Sequence, residues 1–290
     1  MRNMQSWLFV PGHREKMIDK AFGLELDAMV LDLEDGVPPA EKDDARRLVG
    51  QALAQRRTGP SCFVRTQSVD NDAIAADLNA VVRPGLAGLM LPKSEQADDL
   101  RRLDAMLTER ESRAGLETGT VRLVAIVESA RGLIAAPAIA AACPRMVGLL
   151  FGAEDFALDL GMPAVRQGET GQMLYARSAV VVAAASQGLQ AVDRVYLDVA
   201  DADGLRTETK LGRELGFTGK VLIHPNQINV VHECFAPSHM QIEHARRVVE
   251  AFDKAQAEGH GSITVAGQLV DLPIVEKARR VLELQRKLGN

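Results

Sequence analysis

Short apolar runs recur along this chain, each closed by a turn residue and followed by a longer stretch in which apolar and charged positions alternate with helical spacing. Eight runs stand out: WLFV (7–10), AMVLDLE (28–34), CFVRT (62–66), GLMLP (88–92), RLVAIVE (122–128), GLLFG (148–152), RVYLDV (194–199) and KVLIHP (220–225). Runs this short, rich in β-branched residues and bounded by Gly, Pro or Ser, read as strands buried on both faces of a parallel sheet. Between them lie amphipathic patterns such as KDDARRLVGQALAQR and EQADDLRRLDAMLTERESR. Pro38 and Pro39 precede the first, and Ser94 with Glu95 is expected to open the second as an N-cap. Eight strands alternating with helices predict an α/β fold, a (β/α)8 TIM barrel. A doubly wound sheet would show a glycine-rich phosphate loop after its first strand, and PGHREK carries a single glycine.

From about Ala236 the pattern changes. A helix (SHMQIEHARRVVEAFDKAQAEG), the segment GHGSITVAGQLVDLP and a last helix (IVEKARRVLELQRK) follow. The expected organisation is a catalytic barrel over 1–235 and a C-terminal helical extension with a flap over 236–290, belonging to the same domain.

The polar residues past the strand ends then decide the chemistry, because an α/β barrel places its reacting groups there. Strand two ends in Asp32, Glu34 and Asp35, strand three in Arg65 and Gln67, and strand four in Lys93. Strand five supplies Glu128, strand six Glu154 and Asp155, and strand eight His224. Carboxylates on two successive strand ends converge on one small volume, and like charges held that close call for a cation. An all-oxygen donor set points to Mg²⁺ or Mn²⁺. A planar arginine beside such a cation suits bidentate capture of a substrate carboxylate. Lys16 and Lys20, one helical turn apart, form a basic stripe fit for a phosphate-bearing ligand or for solvent. His224, before Pro225, reads equally as a turn residue.

Other patterns carry less. His232, Cys234 and His239 have loose zinc-like spacing without a paired ligand motif. Ser129 lacks a G-x-S-x-G context. Lys93 on a barrel strand is a candidate Schiff-base amine, as in some aldolases, a rival weakened by the metal-like carboxylates.

Composition narrows the class rather than the reaction. The 290 residues suit a single α/β barrel, and aromatic residues make up only 4%. A net charge of −5 argues against nucleic acid as a partner. No apolar run is long enough for a membrane span, and the N-terminus does not read as a signal peptide. Three widely spaced cysteines (62, 143 and 234) read as reduced thiols, so a cytoplasmic location is expected.

The motifs LFVPG (8–12), LDLEDGV (31–37), FVR (63–65), LPK (91–93), VES (127–129), FGAEDFALDLG (151–161), GFTGKVLIHPNQI (216–228) and GQLVDLP (267–273) run in order through nearly the whole chain. In them the sequence resembles the citrate lyase β-subunit-like branch of the HpcH/HpaI aldolase group. The resemblance implies a homotrimer or hexamer with Mg²⁺ at the barrel mouth, and coenzyme A thioesters as substrates. It implies Glu128 and Asp155 as metal ligands, Arg65 for the carboxylate of a 2-oxo acid, and Glu34, Asp35 and Glu154 behind them. Asp32 falls in the same acidic cluster, which in relatives holds metal-bound water. Phe9, Lys16, Lys20, Ile223 and His224 match thioester-site positions. Asp271, in a flap that often closes over a neighbouring subunit, matches the general acid/base. Gln67 stands where relatives often carry Asn, and Gln5 replaces a frequent basic residue.

The expected reaction is reversible cleavage of a 3-hydroxyacyl-CoA (citramalyl-, malyl- or citryl-CoA-like) into acetyl-CoA and a 2-oxo acid. Two other readings stay open: a metal-dependent aldolase on free 2-oxo acids and aldehydes, and a β-subunit of a multi-subunit citrate lyase working with an acyl carrier protein.

Overall fold

The computed structural model describes residues 4–55, 58–163 and 171–288. The chain resolves into two compact units, Met1–Val231 and His232–Asn290.

In the first unit, strand and helix alternate as the hydrophobic pattern predicts. The order is β1 (Ser6–Pro11), α1 (Glu15–Phe22), β2 (Ala28–Asp32), α2 (Lys42–Ala54), β3 (Ser61–Arg65), α3 (Ile74–Val81), β4 (Gly88–Leu91) and α4 (Ala97–Arg113). Then come β5 (Arg122–Val127), α5 (Ala130–Ala140), β6 (Met146–Phe151), α6 (Ala153–Asp159), α7 (Gly171–Ser186), β7 (Gln190–Asp193), α8 (Ala202–Leu215) and β8 (Gly219–Leu222). All neighbouring strands pair parallel, and β1 closes on β8 with Ser6 opposite Lys220 and Trp7 opposite Val221. The fold is the (β/α)8 barrel that the sequence pattern predicts.

Strand residues of one parity fill the interior. Trp7, Val30, Phe63, Met90, Val124, Leu150, Val192 and Val221 form one buried cluster, in which Trp7 and Phe63 meet edge to face at 4.8 Å. Their neighbours Leu31, Val64, Leu89 and Ala125 are equally buried. Both faces of the sheet are therefore covered, as the near-continuous apolar runs require.

Two expectations are corrected. The seventh strand is Gln190–Asp193, not 194–199. Carbonyls of the RVYLDV run are taken by side chains rather than by a neighbouring strand: Lys220 Nζ donates to Arg194 O, and Gln227 Nε2 donates to Tyr196 O. Asp198 and Asp201 then accept backbone N–H groups and turn the chain into α8. The second correction concerns α4. Its N-cap is Gln96, in a capping box with Asp99, while the Ser94 hydroxyl donates back to Leu91 O.

α9 (Gln227–Phe235) follows the last barrel strand, and the second unit contains α10 (His239–Ala257), the antiparallel pair β9 (Ile263–Val265) and β10 (Gln268–Val270), and α11 (Leu272–Leu288). Val248, Phe252, Val270 and Val275 form its core. Ser238 caps α10 in a box with Gln241. Among the described residues no helix is long and apolar enough to cross a membrane.

Candidate active site

A pocket of about 360 Å³ opens where the strands end. Phe9 and Pro11 reach it from β1, Asp32 from β2, Arg65 from β3, Glu128 from just past β5, and Glu154 with Asp155 from the first turn of α6. Met17, Gly36, Val195 and Ile223 complete much of the wall. Seven of the site residues predicted from sequence (Phe9, Asp32, Arg65, Glu128, Glu154, Asp155 and Ile223) thus share one cavity.

Glu128 carries the electrostatic signature of the site. It is buried, and its Oε1 accepts the Lys93 backbone N–H at 2.6 Å. Burial pushes its carboxyl up, the Lys93 N–H pulls it back, and the neighbouring Asp155 and Glu34 charges push it up again, to about 8. Gly152 makes room for it: a Cβ there would lie 2.6 Å from Glu128 Oε2. Asp155 sits half-buried, one residue past the exposed Glu154, in the first turn of α6, where helix N-terminal N–H groups favour negative charge. Two carboxylates this mutually unfavourable, with oxygen donors alone, fit a hard divalent cation. Among the described residues no three His, Cys, Asp or Glu side chains converge as a ligand set. A pair suffices for Mg²⁺, which keeps several waters and takes one or two protein carboxylates.

Arg65 lies on the same wall, largely buried. Nε and Nη2 fork onto the two oxygens of Asp32 at 2.7 Å each, Nη1 lies 3.1 Å from Glu34 Oε2, and the guanidinium stacks 4.9 Å from the Phe9 ring centroid. Burial opposes the charge, but Asp32 and Glu34 outweigh it and hold the guanidinium firmly protonated. Glu34 bridges onward, its Oε1 accepting Lys93 Nζ at 2.6 Å, with Asp35 Oδ2 at 3.7 Å from the same amine.

Lys93 occupies the left-handed region, φ 51°, unusual for a residue with a side chain. That turn aims its N–H at Glu128 while the amine meets Glu34. Burial lowers the basicity of the amine, yet the Glu34 carboxylate wins and holds the ammonium above its ordinary range. A Schiff-base lysine needs the opposite shift, so the amine acts as a counter-charge.

Glu34, Asp35, Lys16, Lys20 and His224 do not line the cavity. Lys16 and Lys20 are exposed on α1, whose Met17 does line it. His224 Nδ1 accepts the Asn226 N–H at 3.2 Å in the turn leading to α9. Gln227 Oε1 accepts the backbone N–H groups of Ile223 and His224. Asp271 lies in the second unit between β10 and α11, half-buried, with its backbone carbonyl accepting the Val275 N–H of α11. Lys42 was not singled out from sequence. Its amine donates to Leu33 O at 2.7 Å and Glu34 O at 2.6 Å, pinning the acidic loop.

The family model for HpcH/HpaI aldolase/citrate lyase matches residues 5–225. The chain belongs to this family. Among its HpcH/HpaI relatives is the citrate lyase subunit beta of Haemophilus influenzae, 38% identical over 284 residues, covering 98% of this chain and 97% of the relative. The mitochondrial citramalyl-CoA lyase of Homo sapiens is 37% identical over 289 residues, covering 96% and 84%. A solved structure of CitE from Mycobacterium tuberculosis, in complex with magnesium, acetoacetate and coenzyme A, superposes with a TM-score of 0.81 at 32% identity, covering 98% of each chain. Within the HpcH/HpaI frame, the alignment spans barrel and C-terminal unit alike.

Proposed function

We propose that this protein is a Mg²⁺-dependent carbon–carbon lyase that reversibly cleaves a 3-hydroxyacyl-CoA into acetyl-CoA and a 2-oxo acid. The observation that carries this reading is Glu128: a buried carboxylate beside two others, on a wall shared with a firmly charged arginine, in a chain of the HpcH/HpaI family. Glu128 and Asp155 would hold the cation, with Glu34, Asp35 and Glu154 around them. A cation bound there would supply Lewis acidity to the substrate.

Arg65 binds the carboxylate of the substrate's 2-hydroxy acid portion and fixes its orientation, so that the breaking bond can stand across the plane of the thioester, where its electrons reach the carbonyl π system. A general base takes the hydroxyl proton, the oxygen's electrons form the carbonyl of the 2-oxo acid, and the electron pair of the breaking carbon–carbon bond passes into the thioester as an acetyl-CoA enolate. Asp271 donates the proton that completes acetyl-CoA, and in synthesis it removes that proton from the methyl group. Phe9, Lys16, Lys20, Ile223 and His224 are assigned to the coenzyme A arm. In this reading 1–235 is the catalytic barrel, 236–290 carries the flap to a neighbouring subunit, and the assembly is a cytoplasmic homotrimer or hexamer.

A screen of citramalyl-, malyl- and citryl-CoA for release of a 2-oxo acid, with and without Mg²⁺, tests the reaction. Release from none of them would end this reading, and activity with pyruvate plus simple aldehydes would replace it with a free-acid aldolase. The 38% identity to citrate lyase β-subunits supports a second reading, catalysis on an acyl carrier protein within a complex. Cleavage of carrier-bound but not CoA-bound substrate selects it. Asp271→Asn is expected to abolish turnover with Mg²⁺ and pyruvate binding intact by calorimetry. Near-normal turnover would remove Asp271 from the mechanism.

A further inference from the structure

Asp32 stands at the end of β2 with its carboxylate saturated. Oδ1 accepts the Glu34 N–H at 2.9 Å and Arg65 Nε at 2.7 Å, while Oδ2 accepts the Gly36 N–H at 2.9 Å and Arg65 Nη2 at 2.7 Å. A carboxylate offers about four lone-pair sites. All are taken by protein donors, on a residue only 3% exposed, so no site remains for metal-bound water. Resting on the lyase reading above, we propose that Asp32 is a positioning residue that sets the Arg65 guanidinium for the 2-oxo acid, and not a member of the metal's water shell.

The geometry makes the fork rigid from both sides. Behind Asp32, two backbone N–H groups of the β2–α2 loop hold the carboxylate, and Lys42 holds that loop by the Leu33 and Glu34 carbonyls. In front, the fork fixes one edge of the guanidinium, the Phe9 ring fixes its plane, and Glu34 takes one side of Nη1. The remaining Nη1 and Nη2 hydrogens are left for a ligand carboxylate in one orientation. A lone arginine on a flexible stem would meet that carboxylate in many. Gly36 belongs to the device. A Cβ at this position would lie 2.3 Å from Asp32 Oδ2, so its N–H can approach the carboxylate only without a side chain.

The test uses the full-length protein, with Mg²⁺ alone and then pyruvate added to the Mg²⁺-loaded protein, both by calorimetry. Asp32→Asn keeps the shape but offers the fork one acceptor and an opposing NH2. The expected result is a Mg²⁺ Kd within about twofold of the parent and a pyruvate Kd weakened by about tenfold or more, the size expected for a misplaced binding group. In an Arg65→Ala background, Asp32→Asn is expected to add nothing further, which a general structural defect would not reproduce. Gly36→Ala is the second variant, with the same expected pattern, should Asp32→Asn fold poorly. Loss of Mg²⁺ affinity in step with pyruvate affinity, an unchanged pyruvate Kd, or full additivity with Arg65→Ala would each overturn the proposal. If the variants match a parent that binds both ligands and cleaves CoA thioesters, the positioning role falls and the proposed activity stands. A parent that binds no 2-oxo acid removes both.

Discussion

Two buried carboxylates in the same barrel reach opposite electrostatic states. Asp193, at the end of β7 on the helix-facing side, receives Arg177 Nε at 3.1 Å and Nη2 at 2.7 Å, with Lys220 Nζ at 3.4 Å. Burial alone would raise its pKa, but the Lys220 and Arg177 charges outweigh that penalty and hold it below the ordinary range. Glu128 at the mouth suffers the same burial. Its close hydrogen-bond donor is one backbone N–H, its neighbours include two acids, and its carboxyl is pushed up to about 8. Arg177, Asp193 and Lys220 close a charge balance inside the protein, with Glu208 taking the Lys220 amine at 2.6 Å. The mouth leaves its balance open for a ligand to complete. Burial is common to both clusters, so compensation is what separates structure from function here.

The largest expected effect breaks the open side. Glu128→Gln keeps the volume and the bond from Lys93 but removes the charge. Activity should fall by about 1,000-fold or more, since the reaction's electrophile is lost, and calorimetry should find no Mg²⁺ binding. The metal-free variant should nevertheless melt no lower than the parent above pH 8, because an uncompensated charge has been removed. A variant that melts markedly lower there would show that Glu128 is a structural carboxylate like Asp193.

The closed side should respond the other way. Asp193→Ala strands Arg177 and Lys220 in the interior, and removing one partner from a buried ion cluster costs about 3–5 kcal/mol. Urea unfolding with and without Mg²⁺ would measure it, and a loss below about 1 kcal/mol would show that water or Glu208 completes the balance without Asp193. The Mg²⁺ affinity of the surviving folded protein should stay near the parent value.

This contrast also explains what the sequence could and could not reveal. Seven of the eight strands are legible because burial on both faces leaves short continuous apolar runs. The seventh, QAVD, is too short and polar to compete with RVYLDV, whose alternation mimics a strand. That Glu128, Asp155 and Arg65 share one cavity is legible because strand ends in this fold point to one mouth. The pattern of contacts among Asp32, Glu34, Arg65 and Lys93 is not, because it depends on which oxygen each donor reaches. Lys42 left a faint signal. A lysine in the first turn of a helix opposes the helix dipole, and here it is offset by two carbonyls of the acidic loop. The helix-facing cluster left none, since Lys220 within a strand looks like any polar interruption.

The smallest expected effect sharpens the comparison through pH. In the metal-free protein the folded-state pKa of Glu128 lies above its unfolded value of 4.5, at about 8. The protonated form is thus the one the fold favours. Its contribution to stability is fully present below about 4.5 and is lost as pH rises toward 8. Cation binding needs the carboxylate, so below pH 8 each Mg²⁺ bound displaces a proton. Apparent affinity should rise about tenfold per pH unit, or ~1.4 kcal/mol, and level off above 8. The gain in melting temperature from Mg²⁺ should grow over the same window. Asp193, whose pKa is lowered, contributes stability above its unfolded value and loses it only on acidification, so its variants should leave this profile unmoved. A Mg²⁺ affinity flat from pH 6 to 8 would mean that Glu128 is already ionised in the metal-free protein, and that the mouth is as well compensated as the cluster behind β7.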